Sequence, residues 1–600
     1  MVNLRVRCIV LAGALFAVAG AAHADDWTLD GVERVVAVSD IHGAHQELVA
    51  TLQTAGVVDA AQRWSAAGTH LVIVGDIVDR GDDSRASMDL LMRLEPEAAA
   101  AGGKVHVVLG NHDVMNIVGD LRYTTKGEYA AFAAEESPVV REAAFQRHLS
   151  GRASDTTAVE DVRREFDHAY PPGFFAHRAA FAAGATYGKW LLGKPLLLQI
   201  NDTLFVHAGM SQAAAGIGRT AINGAFRGQL LEYAGLLEQL MAQGVVDPAT
   251  DFYELPDRIG AARVAGASAQ DPDAAKRVDR LLALHESLIH GPASPLWYRG
   301  NVGCGPLIEQ ARLESALKNF NGARLVVGHT PTWRRRVWSR LDGRVVQIDT
   351  GMLQSYYSGQ GAALLLEGQR MSAIYRGEAA AVPVEAQPAR AGILTADLDA
   401  EELEAALAEG EIAGEPGAAM LELTWHGRQL QALFTPARDG FAPDVAAYRL
   451  DRLLSLDMVP AAVLRNVNGT AGSLRHVPGA TVTETERVAG KAAIEAWCPL
   501  QDQFQAMYIF DALVYNPGRV TDDILFARNG GTLILTGHAP AFGTRTGVPA
   551  YLKKANLTLN AMWRDKLAGL QSDQARASLR EVLGDKRLKA LLKRAEQLAD

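Results

Sequence analysis

The sequence predicts an α/β fold, and three observations carry that expectation. Five apolar, mostly β-branched runs each stop at a side chain of metal-binding type. They are Val35 to Val38 before Ser39-Asp40-Ile41-His42-Gly43, Leu71 to Val74 before Gly75-Asp76, Val105 to Leu109 before Gly110-Asn111-His112-Asp113, Leu204 to Val206 before His207, and Leu325 to Val327 before Gly328-His329. Short Val/Ile/Leu runs of this kind read as buried strands. From Arg34 to Val118 such runs alternate with helical patterns, His45 to Thr54 and Ser87 to Leu94, which marks βαβ units. The polar residues stand where α/β sheets bind ligands, at the carboxyl ends of the strands.

Taken in order, the 600-residue chain opens with Arg5 and Arg7, an apolar segment from Cys8 to Gly20, and Ala22-His23-Ala24. This reads as a secretory signal cut after Ala24. Its apolar core is shorter than the ~20 residues a membrane span needs. No other stretch is long and apolar enough, so a periplasmic or secreted protein with no stable membrane span is expected. The charge balance, 59 Lys+Arg against 69 Asp+Glu, argues against a nucleic-acid partner held through phosphates. Oligomeric state is not encoded in any pattern of the sequence.

Two Ala- and charge-rich helical insertions are expected, Thr125 to Gly184 and Asn223 to His290, followed by the strands Arg344 to Ile348 and Ala362 to Leu366. Residues 377–392 have no periodicity and read as a linker. The expected organisation is a signal peptide at 1–24, a first domain at 25–376, the linker, and a smaller α+β domain at 393–600. In the mature chain Cys304 and Cys498 remain; export permits a disulfide, and spacing alone leaves their pairing open. Gln310 and Phe504 stand six residues after them where a cysteine-based phosphate loop needs arginine, which argues against that chemistry.

At one rim, Asp40, His42 and Asp76 would offer two carboxylates and an imidazole, while Asn111, His207 and His329 would add an amide oxygen and two imidazoles. This exceeds what one divalent ion needs and suits two ions sharing a carboxylate such as Asp76. Such a pair holds phosphate oxygens and acidifies a bridging water, giving an in-line hydroxide nucleophile.

The motifs Asp40-Ile41-His42-Gly43, Gly75-Asp76-Ile77-Val78-Asp79-Arg80-Gly81, Gly110-Asn111-His112-Asp113, His207-Ala208-Gly209 and Gly328-His329-Thr330 resemble the calcineurin-like metallophosphoesterases, in the phosphoprotein phosphatase branch. Finer features resemble the Shewanella-like phosphatase subgroup: Val114-Met115-Asn116, Gly119 to Tyr123, Tyr170 to Phe175, Tyr187 to Leu191 and Pro295 to Gly300. The resemblance covers about Arg34 to Ala373 and implies a β-sandwich flanked by helices. It also implies that Asp40, His42 and Asp76 hold the first ion, and Asp76, Asn111, His207 and His329 the second, the ions being Mn, Fe or Zn. His112 would be the general acid, oriented by Asp79, and Arg80 and Arg299 would clamp the phosphate. Arg122, Tyr123 and Arg178 are candidates for the substrate rim, whereas Tyr187 and Trp190 read as packing under a lid. Two departures stand out: Asp113 where the branch usually has glutamate, and Ala208 where it has glycine. Neither removes a ligand.

The C-terminal part resembles, more faintly, the atypical kinases of the lipid-kinase and secretory-kinase group. The resemblance rests on Leu433-Phe434-Thr435-Pro436, the helix Asp444 to Leu454, and the segments Asp511 to Arg519 and Leu533 to Phe542. Thr435 replaces the expected lysine and Gly537 the expected aspartate, so the resemblance implies a degenerate, non-transferring domain. The expected function is an exported dinuclear phosphatase acting on phosphomonoesters of proteins or peptides, phosphotyrosine included. A nucleotide or small-molecule phosphoesterase and a non-catalytic phospholigand scaffold are the alternatives.

Overall fold

The structure, a computed structural model, describes residues 27–152, 158–264, 272–287, 289–389, 398–413 and 419–600. The expected signal peptide lies outside the described residues. Among those described, no helix is long and apolar enough to cross a membrane.

The β-branched runs form strands buried on both faces. In β2 (Arg34–Val38), Val35 and Ala37 face one core while Val36 and Val38 face another. That double burial explains why the runs are continuously apolar rather than alternating. A six-stranded sheet has the order β12-β11-β10-β2-β3-β4, with β3 (His70–Val74), β4 (Lys104–Val108), β10 (Ala362–Glu367), β11 (Arg370–Tyr375) and β12 (Val382–Pro383). A seven-stranded sheet has the order β1-β5-β6-β7-β9-β8-β13. Its members are β1 (Thr28–Leu29), β5 (Leu197–Ile200), β6 (Thr203–Val206), β7 (Arg324–Val327), β8 (Trp338–Arg340), β9 (Val345–Gln347) and β13 (Glu385–Ala386). The two sheets share an apolar layer in which Val35, Val72 and Val108 of one meet Leu198, Phe205 and Val326 of the other. This is a β-sandwich.

Parallel pairing sets the site. β2, β3 and β4 run parallel, with Val38 opposite Ile73 and Val74 opposite Val108, and β6, β7 and β9 run parallel in the other sheet. All six therefore end at one edge. The crossover helices are α1 (His45–Thr54), as expected, and α2 (Ser84–Ala100), which starts before the expected Ser87 and runs past Leu94 through Pro96. The expected insertions are helical: Pro138–Ser150, Val159–Ala169 and Phe174–Ala180 in the first, Arg219–Ala242 and Pro272–His285 in the second.

Part of the expected linker is not a linker. Val382–Pro383 pairs with β11 and Glu385–Ala386 with β8, so the segment adds an edge strand to each sheet. These strands are two residues long, and Pro383, which has no N–H to donate, is tolerated because its strand lies at a sheet edge, so no periodicity announces them. Beyond it, β14 (Glu411–Ala413), β15 (Met420–Trp425), β16 (Arg428–Pro436), β17 (Ala462–Val467) and β18 (Thr470–His476) form a five-stranded antiparallel sheet in the order β14-β15-β16-β18-β17. The β15–β16 hairpin turns at His426-Gly427, both with positive φ, as a two-residue turn requires. Helices Leu500–Val514 and Asp573–Ala599 complete this α+β part.

The two parts are fastened together. Cys304 and Cys498 form a disulfide, Arg312 makes a two-pronged ion pair with Asp502 at 2.6 and 2.7 Å, and Leu307 and Ile308 of the first part sit in the core of the second. The bond closes a loop of 194 residues. Breaking it as Cys498→Ser should lower stability by about 2–5 kcal/mol, by the loop-closure argument. Thermal melts of the oxidised wild type, the reduced wild type and the variant check this; three coincident melting points would contradict it.

Candidate active site

Three strands of the rim, β2, β3 and β7, end in turns that plain residues dislike. Asp40, His42, Asp76, Asp79, Arg80 and His329 all have φ between 49° and 72°. Such conformations persist only where surroundings over-determine them, and they cluster at functional sites. Here the surroundings are neighbouring turns: the N–H groups of Asp40, His42 and Gly43 donate to the carbonyls of Gly75, Asp76 and Ile77. Gly75 adopts φ +80°, and a Cβ there would lie 2.6 Å from His207 Nδ1 and from Gly110 Cα. The close approach of the β3, β4 and β6 ends depends on that missing methyl.

Asp113, in the first turn of helix α3 (Asn111–Val118), ties this together. Its carboxylate accepts from the N–H groups of Gly110 at 2.8 Å and of Asp76 and Ile77 at 3.0 Å each. Burial and the nearby Asp76 push its pKa up, while the N–H donors pull it back. The shortened arm relative to glutamate therefore serves a backbone clamp.

The six candidate ligands converge, all buried. Asp76 Oδ2 lies 3.6 Å from His42 Nε2, 3.2 Å from His207 Nε2 and 4.0 Å from His112 Nε2. His207 Nε2 is 3.0 Å from Asn111 Oδ1 and 3.2 Å from His329 Nδ1. Two donor triads, His42-Asp76-His112 and Asp76-His207-His329, each fall within 4.8 Å and share Asp76. Asp40 stands at their edge, 3.9 Å from His42 Nε2, with both oxygens accepting from His329 N–H.

The donor set fits divalent cations. His42 Nδ1 faces the Val78 carbonyl at 3.1 Å and His207 Nδ1 the Val74 carbonyl at 2.8 Å. A carbonyl only accepts, so Nδ1 carries the proton and Nε2 is the nitrogen turned to the rim, as metal-ligating imidazoles are oriented. His329 Nε2 is buried without a hydrogen-bond partner. Burial, then Asp349, holds Asp40 well above the usual carboxylate range, and burial holds His42 well below its own. Burial opposes charge on Asp76 and His207 too, but their mutual attraction wins: Asp76 is lowered and His207 is held up at about 9. A cation would relieve this crowding of buried carboxylates.

The remaining site residues surround this centre. His112 Nδ1 is 2.7 Å from Asp79 Oδ2, and the other Asp79 oxygen accepts from Asn116 and Thr124. Arg80 Nη1 lies 2.7 Å from His42 Nε2 and donates to the Tyr357 hydroxyl. Arg299 reaches the rim from another direction, its Nε donating to Thr330 Oγ1 at 3.3 Å. Tyr123 packs 5.0 Å from the His112 ring. Arg122 pairs with Asp120 and is half-exposed. Arg178 departs from its expected place at the rim. It donates to the Asn116 carbonyl, while the Asn116 side chain bonds Asp79, and its own helix Phe174–Ala180 packs against Lys126–Ala130. Tyr187 and Trp190 bond Asp89 and Glu95 of α2, which is packing.

Three residues at the site went unread in the sequence. Asp349 is buried beside Asp40 and follows β9, so its run Val345-Val346-Gln347-Ile348-Asp349 carries the same strand-end signal as the others. Tyr357 packs 5.7 Å from the His42 ring and carries no motif. Glu309 accepts from Tyr298 and Asn301 at 2.8 and 2.7 Å and so anchors both sides of Arg299.

Residues 33–223 match the model of the calcineurin-like phosphoesterase family. The chain thus carries a calcineurin-like metallophosphoesterase domain. Among curated relatives it is 30% identical over 207 residues to Shewanella-like protein phosphatase 2 of Arabidopsis thaliana, covering 34% of this chain and 53% of that protein. It is 22% identical to Shewanella-like protein phosphatase 1 of Plasmodium berghei, over 32% of this chain and 42% of that one. The chain thus spans about half the length of these relatives. A crystal structure of the cold-active protein-tyrosine phosphatase of a psychrophile Shewanella species aligns at 23% identity and TM-score 0.38, over 60% of this chain and 82% of that one.

Glu309 offers a test of how Arg299 is held. Burial pushes its carboxyl from 4.5 up to about 7. Between those values the unfolded chain has released the proton and the folded chain keeps it, so stability falls as pH rises through that window. Glu309→Gln, which keeps an acceptor, should abolish this fall. Denaturation between pH 4 and pH 8 should show the variant gaining about 3 kcal/mol on the wild type across the window. A difference constant with pH would contradict it.

Proposed function

We propose that this protein is an exported, dinuclear metal-dependent phosphatase that hydrolyses phosphomonoesters on protein or peptide side chains. One observation carries the reading: two donor triads share the Asp76 carboxylate, one of them containing the Asp79-paired His112, and two arginines stand at the same rim. The named phosphatase relatives and the family match support it, and the Cys304–Cys498 bond suits an oxidising compartment.

Asp40, His42 and Asp76 would hold one ion, and Asp76, Asn111, His207 and His329 the other. When bound, the ions supply Lewis acidity toward phosphoryl oxygens and lower the pKa of water. Arg80 and Arg299 offer guanidinium forks to the remaining phosphate oxygens. His112 delivers its Nε2 proton to the departing oxygen. Asp79 fixes that orientation through Nδ1. Asn116 and Thr124 keep Asp79 from rotating.

For residues 393–600 we propose a degenerate kinase-like binding domain. Asp511, which a kinase would need free, is held by Arg519 at 2.5 and 3.0 Å and by Tyr551. Thr435 on β16 offers no cation for nucleotide phosphates. The full chain should therefore show no magnesium-dependent ATP binding by calorimetry; saturable binding would contradict this.

The phosphatase reading is checked with manganese-loaded protein on p-nitrophenyl phosphate and phosphopeptides. His112→Ala should lower kcat about 10²- to 10⁴-fold with metal content retained, whereas Asp76→Asn should lose metal and activity together. No turnover by the wild type on either substrate would defeat the proposal.

A further inference from the structure

A cleft of about 550 Å³ lies between the sandwich and the C-terminal domain, within the size range of ligand sites. Its inner end adjoins the rim through two residues that bond the rim arginines. Thr330, which accepts from Arg299, and Tyr357, which accepts from Arg80, both line it. Its outer wall is the C-terminal domain's Trp497, Arg528 and Asn529.

This wall is built rather than incidental. Cys498 is bonded to Cys304, the backbone N–H of Trp497 donates to the Gly530 carbonyl at 3.0 Å, and the indole packs so closely on Gly530 that a Cβ there would sit 2.9 Å from the ring. The wall also touches the phosphate clamp. The Arg299 guanidinium lies 5.7 Å from the Trp497 ring centre, and Glu495 approaches its Nη1 at 4.0 Å. Glu495 is 88% exposed, so this pair is weak, and an arriving phosphate dianion displaces it.

We propose that the cleft binds the peptide segment flanking the phosphorylated residue and favours acidic flanks, so that the C-terminal domain sets substrate preference. The proposal rests on the phosphatase reading above. Four arginines, Arg334, Arg335, Arg340 and Arg528, line the cleft against one carboxylate, Asp457, and give it its sign. Arg335 donates to the carbonyls of Thr332 and Tyr357, and Arg528 is exposed at the outer wall. The chain as a whole is acidic, at −10, so a cationic cleft is a local feature. Trp497 offers a flat apolar face beside these charges, suited to a peptide backbone and its side chains. A small phosphate ester fills only the rim and leaves the cleft empty. The domain's effect therefore grows with substrate length.

The test uses the full-length, oxidised, manganese-loaded chain. Its substrates are p-nitrophenyl phosphate and two phosphopeptides of equal length that differ only in acidic or basic flanks. The wild type should show a KM on the order of 10-fold lower for the acidic peptide, and Arg528→Glu should erase or reverse that ratio, a change that simple misfolding cannot produce. Trp497→Ala should raise KM for both peptides more than for p-nitrophenyl phosphate, and Trp497→Phe should restore it in part. Equal KM values for the two peptides, or an Arg528→Glu ratio unchanged from wild type, would overturn the proposal. So would turnover of dinucleotide polyphosphates with no binding of either peptide. If the wild type turns over nothing, the phosphatase reading fails, and the same peptides read by fluorescence anisotropy still decide the cleft: a wild-type preference lost in Arg528→Glu upholds it, and equal dissociation constants overturn it.

Discussion

One buried carboxylate holds the rim in register. Asp113 accepts three backbone N–H bonds, one from its own helix start at Gly110 and two from the Asp76-Ile77 turn. A fully buried carboxylate is costly unless its lone pairs are filled, and three charge-assisted bonds fill them. The consequence is geometric: the end of β3, with Asp76, and the start of α3, with Asn111 and His112, cannot drift apart. Asp76 Oδ1 then accepts from the His112 N–H at 2.9 Å, which leaves Oδ2 turned toward His42, His112 and His207. The shared position of that oxygen depends on the clamp behind it.

The left-handed turns belong to the same economy. Six non-glycine residues at the rim hold positive φ, each at a cost of order 1–3 kcal/mol. They are held by the N–H groups of the turn after β2 donating to the carbonyls of the turn after β3, and by the shared core beneath. The dense β-branched layer thus serves the site as well as stability, since a looser sandwich would let those turns relax.

The strand-end ligands were legible because each is a local pattern: an apolar run that stops at a metal-binding type of side chain, directly or after a small residue. Asp349 carries that pattern and could have been read from it. Tyr357, Glu309, Trp497 and Glu495 could not, because their places depend on packing between segments far apart in sequence. The same holds for the short edge strands at Val382–Pro383 and Glu385–Ala386, and for Arg178, whose motif neighbourhood suggested the rim while the helix carrying it packs against Lys126–Ala130. In the C-terminal part the helix Asp444 to Leu454 was legible, but the disulfide that sets this part against the sandwich was not, since two cysteines 194 residues apart have no local signature.

The central claim is that the rim holds two ions on one shared carboxylate, and it is tested most directly by the electron paramagnetic resonance spectrum of the manganese-loaded protein. Two ions sharing Asp76 would give an exchange-coupled multiline signal that collapses in Asp76→Asn. An isolated six-line signal in the saturated wild type, from one ion or from two that do not interact, would contradict the account.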